Sequence, residues 1–225
     1  MINKNTVKAD NQLKKNNSVT FEGDGKLKIM FVGNSITRHG VLEEIGWYWD
    51  FGMAASCKEK DYVHLLIKEI DKNTSAQYCI CQASRWEQNY TNPDDELLNI
   101  YEDARDFGAD IIIMRIVENC YKQFEPECFR KNYINFINYL NTNNAKIILT
   151  SGFWVHKEAD RTIEEISKEM SLPFVYLGDL GENPEMRAIG KFSHEGVQYH
   201  PGDLGMENIA NRIFREIEKI IVKVV

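Results

Sequence analysis

The chain has 225 residues, 43% hydrophobic and 27% charged, which is the composition of a globular protein with material for one ordinary core and excludes disordered, fibrous and coiled-coil classes. Its 27 Lys and Arg against 34 Asp and Glu leave a formal charge of -7. No global field draws it to phosphate backbones or anionic lipid, so neither nucleic acid nor membrane is an expected partner.

Residues 1–25 carry Lys, Asn and Gly with almost no apolar periodicity and read as a flexible or surface-draped arm, leaving 26–225 as a single domain. The polar start has no apolar signal-peptide core, and no run reaches the roughly 18 apolar residues of a spanning helix. The chain as given reads as cytoplasmic. Five cysteines, at 57, 79, 81, 120 and 128, suit free thiols in a reducing compartment.

Strand-length apolar runs follow at Leu27–Val32, Ala76–Cys81, Asp110–Val117, Ala145–Ser151 and Pro173–Gly178. Several are uninterrupted, as expected of strands buried on both faces. Between them lie helical patterns at Glu59–Asp71, Pro93–Phe107, Pro126–Leu140, His156–Met170 and from Asp203 onward. In the last, Ile209, Ile213, Ile217, Ile220 and Ile221 recur at spacings of three and four, and Asp203 is a candidate N-cap. Strand and helix alternate throughout. That order implies an α/β/α three-layer sandwich around a mostly parallel sheet of about five strands.

Open parallel sheets bind ligands beyond the carboxyl ends of their strands, so the residues after each strand carry the functional weight. Gly33-Asn34-Ser35 follows the first buried strand, where Ser35 is either a nucleophile or a helix cap. The stretch lacks the Gly-Lys-Ser/Thr ending of a phosphate loop and the second glycine of a G-x-S-x-G elbow. Asn119 ends the third strand, as an oxyanion donor or a turn former. His200 sits just before the last helix, as a base or a surface histidine.

Taken together, these blocks resemble the SGNH (GDSL-type) hydrolase family. Gly33-Asn34-Ser35-Ile36 is similar to its first block, Val117-Glu118-Asn119 to its Gly-x-Asn block, and His200-Pro201-Gly202-Asp203-Leu204-Gly205-Met206 to its C-terminal histidine block. The resemblance implies a flavodoxin-like fold and hydrolysis of acyl esters, often carbohydrate or small-molecule esters and including deacetylation, without metal or other cofactor. It implies Ser35 as nucleophile, His200 as general base, and the Ser35 N–H with Asn119 as oxyanion hole.

The chain departs from the pattern in three places. Gln82–Glu87 holds no glycine, so a backbone N–H of Arg85 or Trp86 is expected to serve. Val117 and Cys120 replace the usual Gly and Asp. Val197 stands where the acid three residues before the histidine is normally found. Replacements are Glu195, Glu118, Asp179 or a backbone carbonyl, and loop proximity selects Glu195. Asn34, Trp47, Trp49 and Glu118 are candidate pocket residues. Trp47, Trp49 and Trp86 are either sugar-stacking platforms or core. Arg115, inside an apolar strand, needs a partner, for which Glu118 is a candidate. Rival readings with the same residues are an inactive ligand-binding module and an acyltransferase.

Overall fold

Side chains alternate along the strands so that one sheet is apolar on both faces. The structure is a computed structural model that describes residues 18–221. In β2 (Leu27–Gly33), Ile29 and Phe31 enter one buried cluster while Met30 and Val32 enter the other. In β4 (Ile111–Arg115), Ile111 and Ile113 likewise oppose Ile112 and Met114. Burial on both faces is why these segments read as continuous apolar runs.

With β1 (Val19–Gly23), β3 (Ala76–Gln82), β5 (Lys146–Thr150) and β6 (Phe174–Val175), the sheet has the order β1-β3-β2-β4-β5-β6. Every pairing is parallel except that of β1 with β3. The antiparallel β1 corrects the expected boundary, because it lies inside the segment 1–25 read as an arm and makes the sheet six-stranded. Its main chain pairs with the outer edge of β3, and Val19 joins the core cluster that contains Cys79 and Cys81. Five residues of alternation are too short a signal to separate from a polar tail. Residues 1–17 of the expected arm lie outside the described residues.

On one face, α1 (Tyr62–Asp71) and α9 (Asp203–Ile221) cover the sheet. The other is covered by α2 (Ser84–Asn89), α3 (Asp95–Asn99), α4 (Glu102–Phe107), α5 (Pro126–Leu140) and α6 (Lys157–Glu169). Two short helices, α7 (Gly178–Glu182) and α8 (Glu195–Gln198), lie in the long segment before α9. The expected helix 93–107 is two helices. Tyr101 breaks it: its N–H bonds back only three residues to Leu98, and its buried hydroxyl accepts the Trp86 N–H at 3.0 Å. Asp203 does not act as the expected N-cap. It is the first residue of α9, and its carboxylate accepts from Ser56 N, Ser56 Oγ and Lys60 Nζ, each at 2.8 Å, tying α9 to the loop before α1.

The chain leaves β2 to build β3 on one side and then crosses to β4 on the other. That reversal falls at the carboxyl ends of β2 and β4, the place where doubly wound sheets bind ligands. Ser35 follows β2, and Glu118 and Asn119 follow β4. No helix among the described residues is long and apolar enough to cross a membrane.

Candidate active site

From Ile29 to Arg38 every residue is buried except Ser35. The turn that lifts this side chain out depends on Gly33, where a Cβ would lie 1.6 Å from Thr37 Oγ1. Thr37 folds back over the glycine, and its hydroxyl meets Tyr62 Oη at 2.6 Å. The N–H groups of Thr37 and Arg38 both bond to the Asn34 carbonyl, and the Met53 N–H bonds to the Ser35 carbonyl. Main-chain bonds on both sides thus hold the serine.

His200 reaches the serine from the segment before α9. Its Nε2 lies 2.9 Å from Ser35 Oγ, and its Nδ1 lies 2.8 Å from the Gly196 carbonyl oxygen. A carbonyl can only accept, so Nδ1 carries the ring proton and Nε2 the lone pair that takes the serine hydroxyl. Burial, with lesser contributions from His39 and Arg115, pushes the pKa of His200 down to about 4, against the opposing Gly196 bond. The ring is therefore neutral, as a general base must be. Trp154 stands against it, the two rings T-shaped with centroids 5.4 Å apart, and the indole N–H bonds to the Tyr199 carbonyl.

The Gly196 carbonyl corrects the choice of Glu195, whose side chain lies exposed in the same turn. The other named acids are also engaged elsewhere: Asp179 pairs with Arg212 and Glu118 with Arg115. Val197 is 1% exposed and belongs to the core. Its apolar side chain anchors α8 to the core.

Beneath the serine turn lies a buried polar ladder. Arg115 is fully buried; Nη1 and Nη2 donate to Glu118 Oε1 at 2.6 and 2.8 Å, and Nη2 also donates to Asn34 Oδ1 at 2.9 Å. Asn34 Nδ2 donates to Glu118 Oε2 at 2.6 Å and to Glu87 Oε1 at 3.0 Å. Glu87 Oε1 also accepts the Val117 N–H, and Oε2 accepts Asn119 Nδ2, each at 2.5 Å. Burial and the Glu118 charge push the Glu87 carboxyl up to about 7, against the pull of Asn119, Asn34 and Arg115. Arg115 thus has the partner expected for it.

Asn34 and Glu118, expected in the pocket, instead form its floor support, with Asn34 1% exposed. Trp47 is fully buried and donates to the His39 carbonyl, so it too is core. Trp49 is 46% exposed and packs edge-on against Trp47. Trp86 is core, stacked on Phe136 at 4.8 Å, and its N–H is committed to Tyr101, which removes it as an oxyanion donor. Arg85, in the first turn of α2, keeps the kind of unpaired N–H that helix starts leave. Among the described residues the Ser35 N–H also meets no acceptor.

Sequence reasoning missed Glu87, Gly196 and Trp154. Glu87 had no local signal, because Gln88 and Asn89 beside it are polar and its burial is decided by what packs over the helix. Gly196 had none, because it acts through its main chain. All five cysteines are free, as expected. Among the described residues, no cluster of His, Cys, Asp and Glu is arranged to hold a metal ion.

No protein-family model matches the chain, and no curated protein sequence does either. Solved structures do match it. The psychrotrophic esterase EstA from Pseudoalteromonas sp., solved inhibited by monoethylphosphonate, is 13% identical, with a TM-score of 0.58 over 87% of this chain and 99% of that one. The lipase/acylhydrolase from Enterococcus faecalis is 17% identical, with a TM-score of 0.59 over 86% and 96%. A family two carbohydrate esterase from Cellvibrio japonicus is 17% identical, with a TM-score of 0.60 over 89% of this chain and 63% of that longer one. GDSL-like lipases are also among the matches. The chain has the α/β fold these lipases and esterases share.

Proposed function

We propose that this protein is a serine esterase that removes acyl groups from a small-molecule or carbohydrate ester. The observation that carries the reading is the 2.9 Å contact between Ser35 Oγ and the Nε2 of a neutral His200. Support comes from the fold shared with esterases and lipases and from the position of the contact at the carboxyl ends of the strands.

Ser35 Oγ attacks the ester carbonyl carbon while His200 Nε2 takes the hydroxyl proton. The carbonyl oxygen gains the electron pair and is held by the Ser35 N–H and the second N–H of Asn119, with Arg85 N–H as a third donor. Collapse expels the alcohol, which receives the proton from His200 and leaves the acyl group on Ser35. Water, deprotonated by the same nitrogen, then releases the carboxylic acid and restores the serine. Losing one oxyanion donor costs such reactions about a hundredfold to a thousandfold in rate.

Turnover of a short-chain aryl ester and covalent labelling by a fluorophosphonate test the reading. Both are expected in the natural protein and absent in Ser35→Ala. Full activity in that variant, or a natural protein that neither labels nor turns over, overturns it; the second result points to a ligand-binding module.

A further inference from the structure

We infer that Glu87 is a positioning residue for the ester chemistry, holding the Asn119 amide and the Asn34 end of the nucleophile turn in one register. The inference rests on the roles proposed for Ser35, His200 and Asn119.

Glu87 is 1% exposed, a costly place for a carboxylate unless its oxygens are used. All its recorded side-chain partners donate: Asn34 Nδ2, the Val117 N–H and Asn119 Nδ2. Those donors come from the turns after β2 and β4, while Glu87 itself sits on α2 after β3. One side chain therefore spans three strand ends.

A carboxylate also decides which end of an amide faces it. Because Glu87 Oε2 only accepts, Asn119 must turn its nitrogen inward. One of its two N–H bonds is then committed at 2.5 Å, and the other meets only Ser84 Oγ at 3.5 Å. That second N–H remains for an oxyanion. A protonated Glu87 carries a hydrogen on the oxygen with the fewest donors, Oε2, where it opposes the Asn119 N–H and turns the amide over.

The groups facing Glu87 are Glu118 and Arg115 from β4 and its following turn, Tyr101 before α4, Tyr133 on α5, and Cys120 and Tyr121 beyond β4. Burial raises the pKa of all four of these tyrosine and cysteine groups, which stay neutral. Near pH 7 the charged neighbours are Glu118 and Arg115. Burial and the Glu118 charge bring the Glu87 titration to about 7.

Glu87→Gln keeps the shape but makes one face a donor, which opposes either Asn119 or the Asn34 and Val117 pair. It is expected to lower kcat for an aryl ester about tenfold to a hundredfold, the scale of a small misplacement of a reacting group, with KM little changed. In the natural protein kcat should fall as pH is lowered through an inflection near 7, where Glu87 takes up its proton. That inflection should vanish in Glu87→Gln and also in Asn119→Ala, which keeps Glu87 and so decides the matter even if Glu87→Gln does not fold. A kcat and pH profile unchanged in a folded Glu87→Gln, or an inflection that persists in Asn119→Ala, overturns the inference. Failure of the esterase reading appears separately, as full turnover by Ser35→Ala.

Discussion

The Nδ1 of His200 lies 2.8 Å from the Gly196 carbonyl oxygen, where a triad carboxylate would otherwise be expected. A triad acid does two things: it fixes the imidazole tautomer and it stabilises the imidazolium that forms during reaction. The carbonyl does the first fully and contributes only a dipole to the second. The low pKa of His200 follows from its burial, which is opposed by a neutral carbonyl and not by a charge.

If the main chain orients the ring, the neighbouring carboxylate is dispensable. Glu195→Gln is expected to change kcat for an aryl ester by less than about twofold, within the range of a surface substitution. A hundredfold loss in that variant would restore Glu195 as the acid.

The depressed pKa of His200 makes the fold less stable in acid. Unfolded histidine titrates near 6.5 and the folded ring near 4, so between those values the folded state binds fewer protons. Stability is unaffected by this group above about pH 6.5 and is lost as pH falls toward 4, by up to about 3 kcal/mol. Denaturant melts of His200→Gln should show a shallower decline over that window than the natural protein. Parallel curves would contradict the assignment, as would a ring titration by NMR near 6.5.

Arg115 donates to Glu118 and Asn34 from a fully buried position. Arg115→Met leaves the Glu118 carboxylate buried without its cation, which costs about 3–5 kcal/mol when buried pairs are broken from one side. The urea midpoint should drop accordingly. The double variant Arg115→Met/Glu118→Met should recover much of the loss, because it removes the orphaned charge.

Gly33 tests the turn itself. Gly33→Ala brings a Cβ against Thr37 Oγ1 and should cost about 1–3 kcal/mol or more, as overpacking does. A calorimetric melt of Gly33→Ala paired with Thr37→Gly should return part of that loss; a single variant as stable as the natural protein would show that the turn relaxes freely.

Legible in the chain were the layered α/β architecture, the succession of β2 to β6 along it and, within about three residues, the ends of α1, α5 and α6 and the start of α9, but neither the order of strands in the sheet nor the break at Tyr101. What was legible follows from local patterns: uninterrupted apolar runs such as Ile111-Ile112-Ile113, and isoleucines three and four apart in α9. The sequence by itself also determined that Ser35, Asn119 and His200 all sit at strand or loop ends, because their blocks are contiguous in the chain. What touches them is set by the packing of segments distant in the chain. The Gly196 carbonyl has no side chain to read, and Glu87 bridges residues 30 to 53 positions away from it in the chain. Trp47, Trp49 and Trp86 look alike in sequence, yet two are core and one is exposed, since burial depends on which neighbours close over a ring. A hydrogen bond is set by distance in space, and chain order reports that distance only where the contact is local.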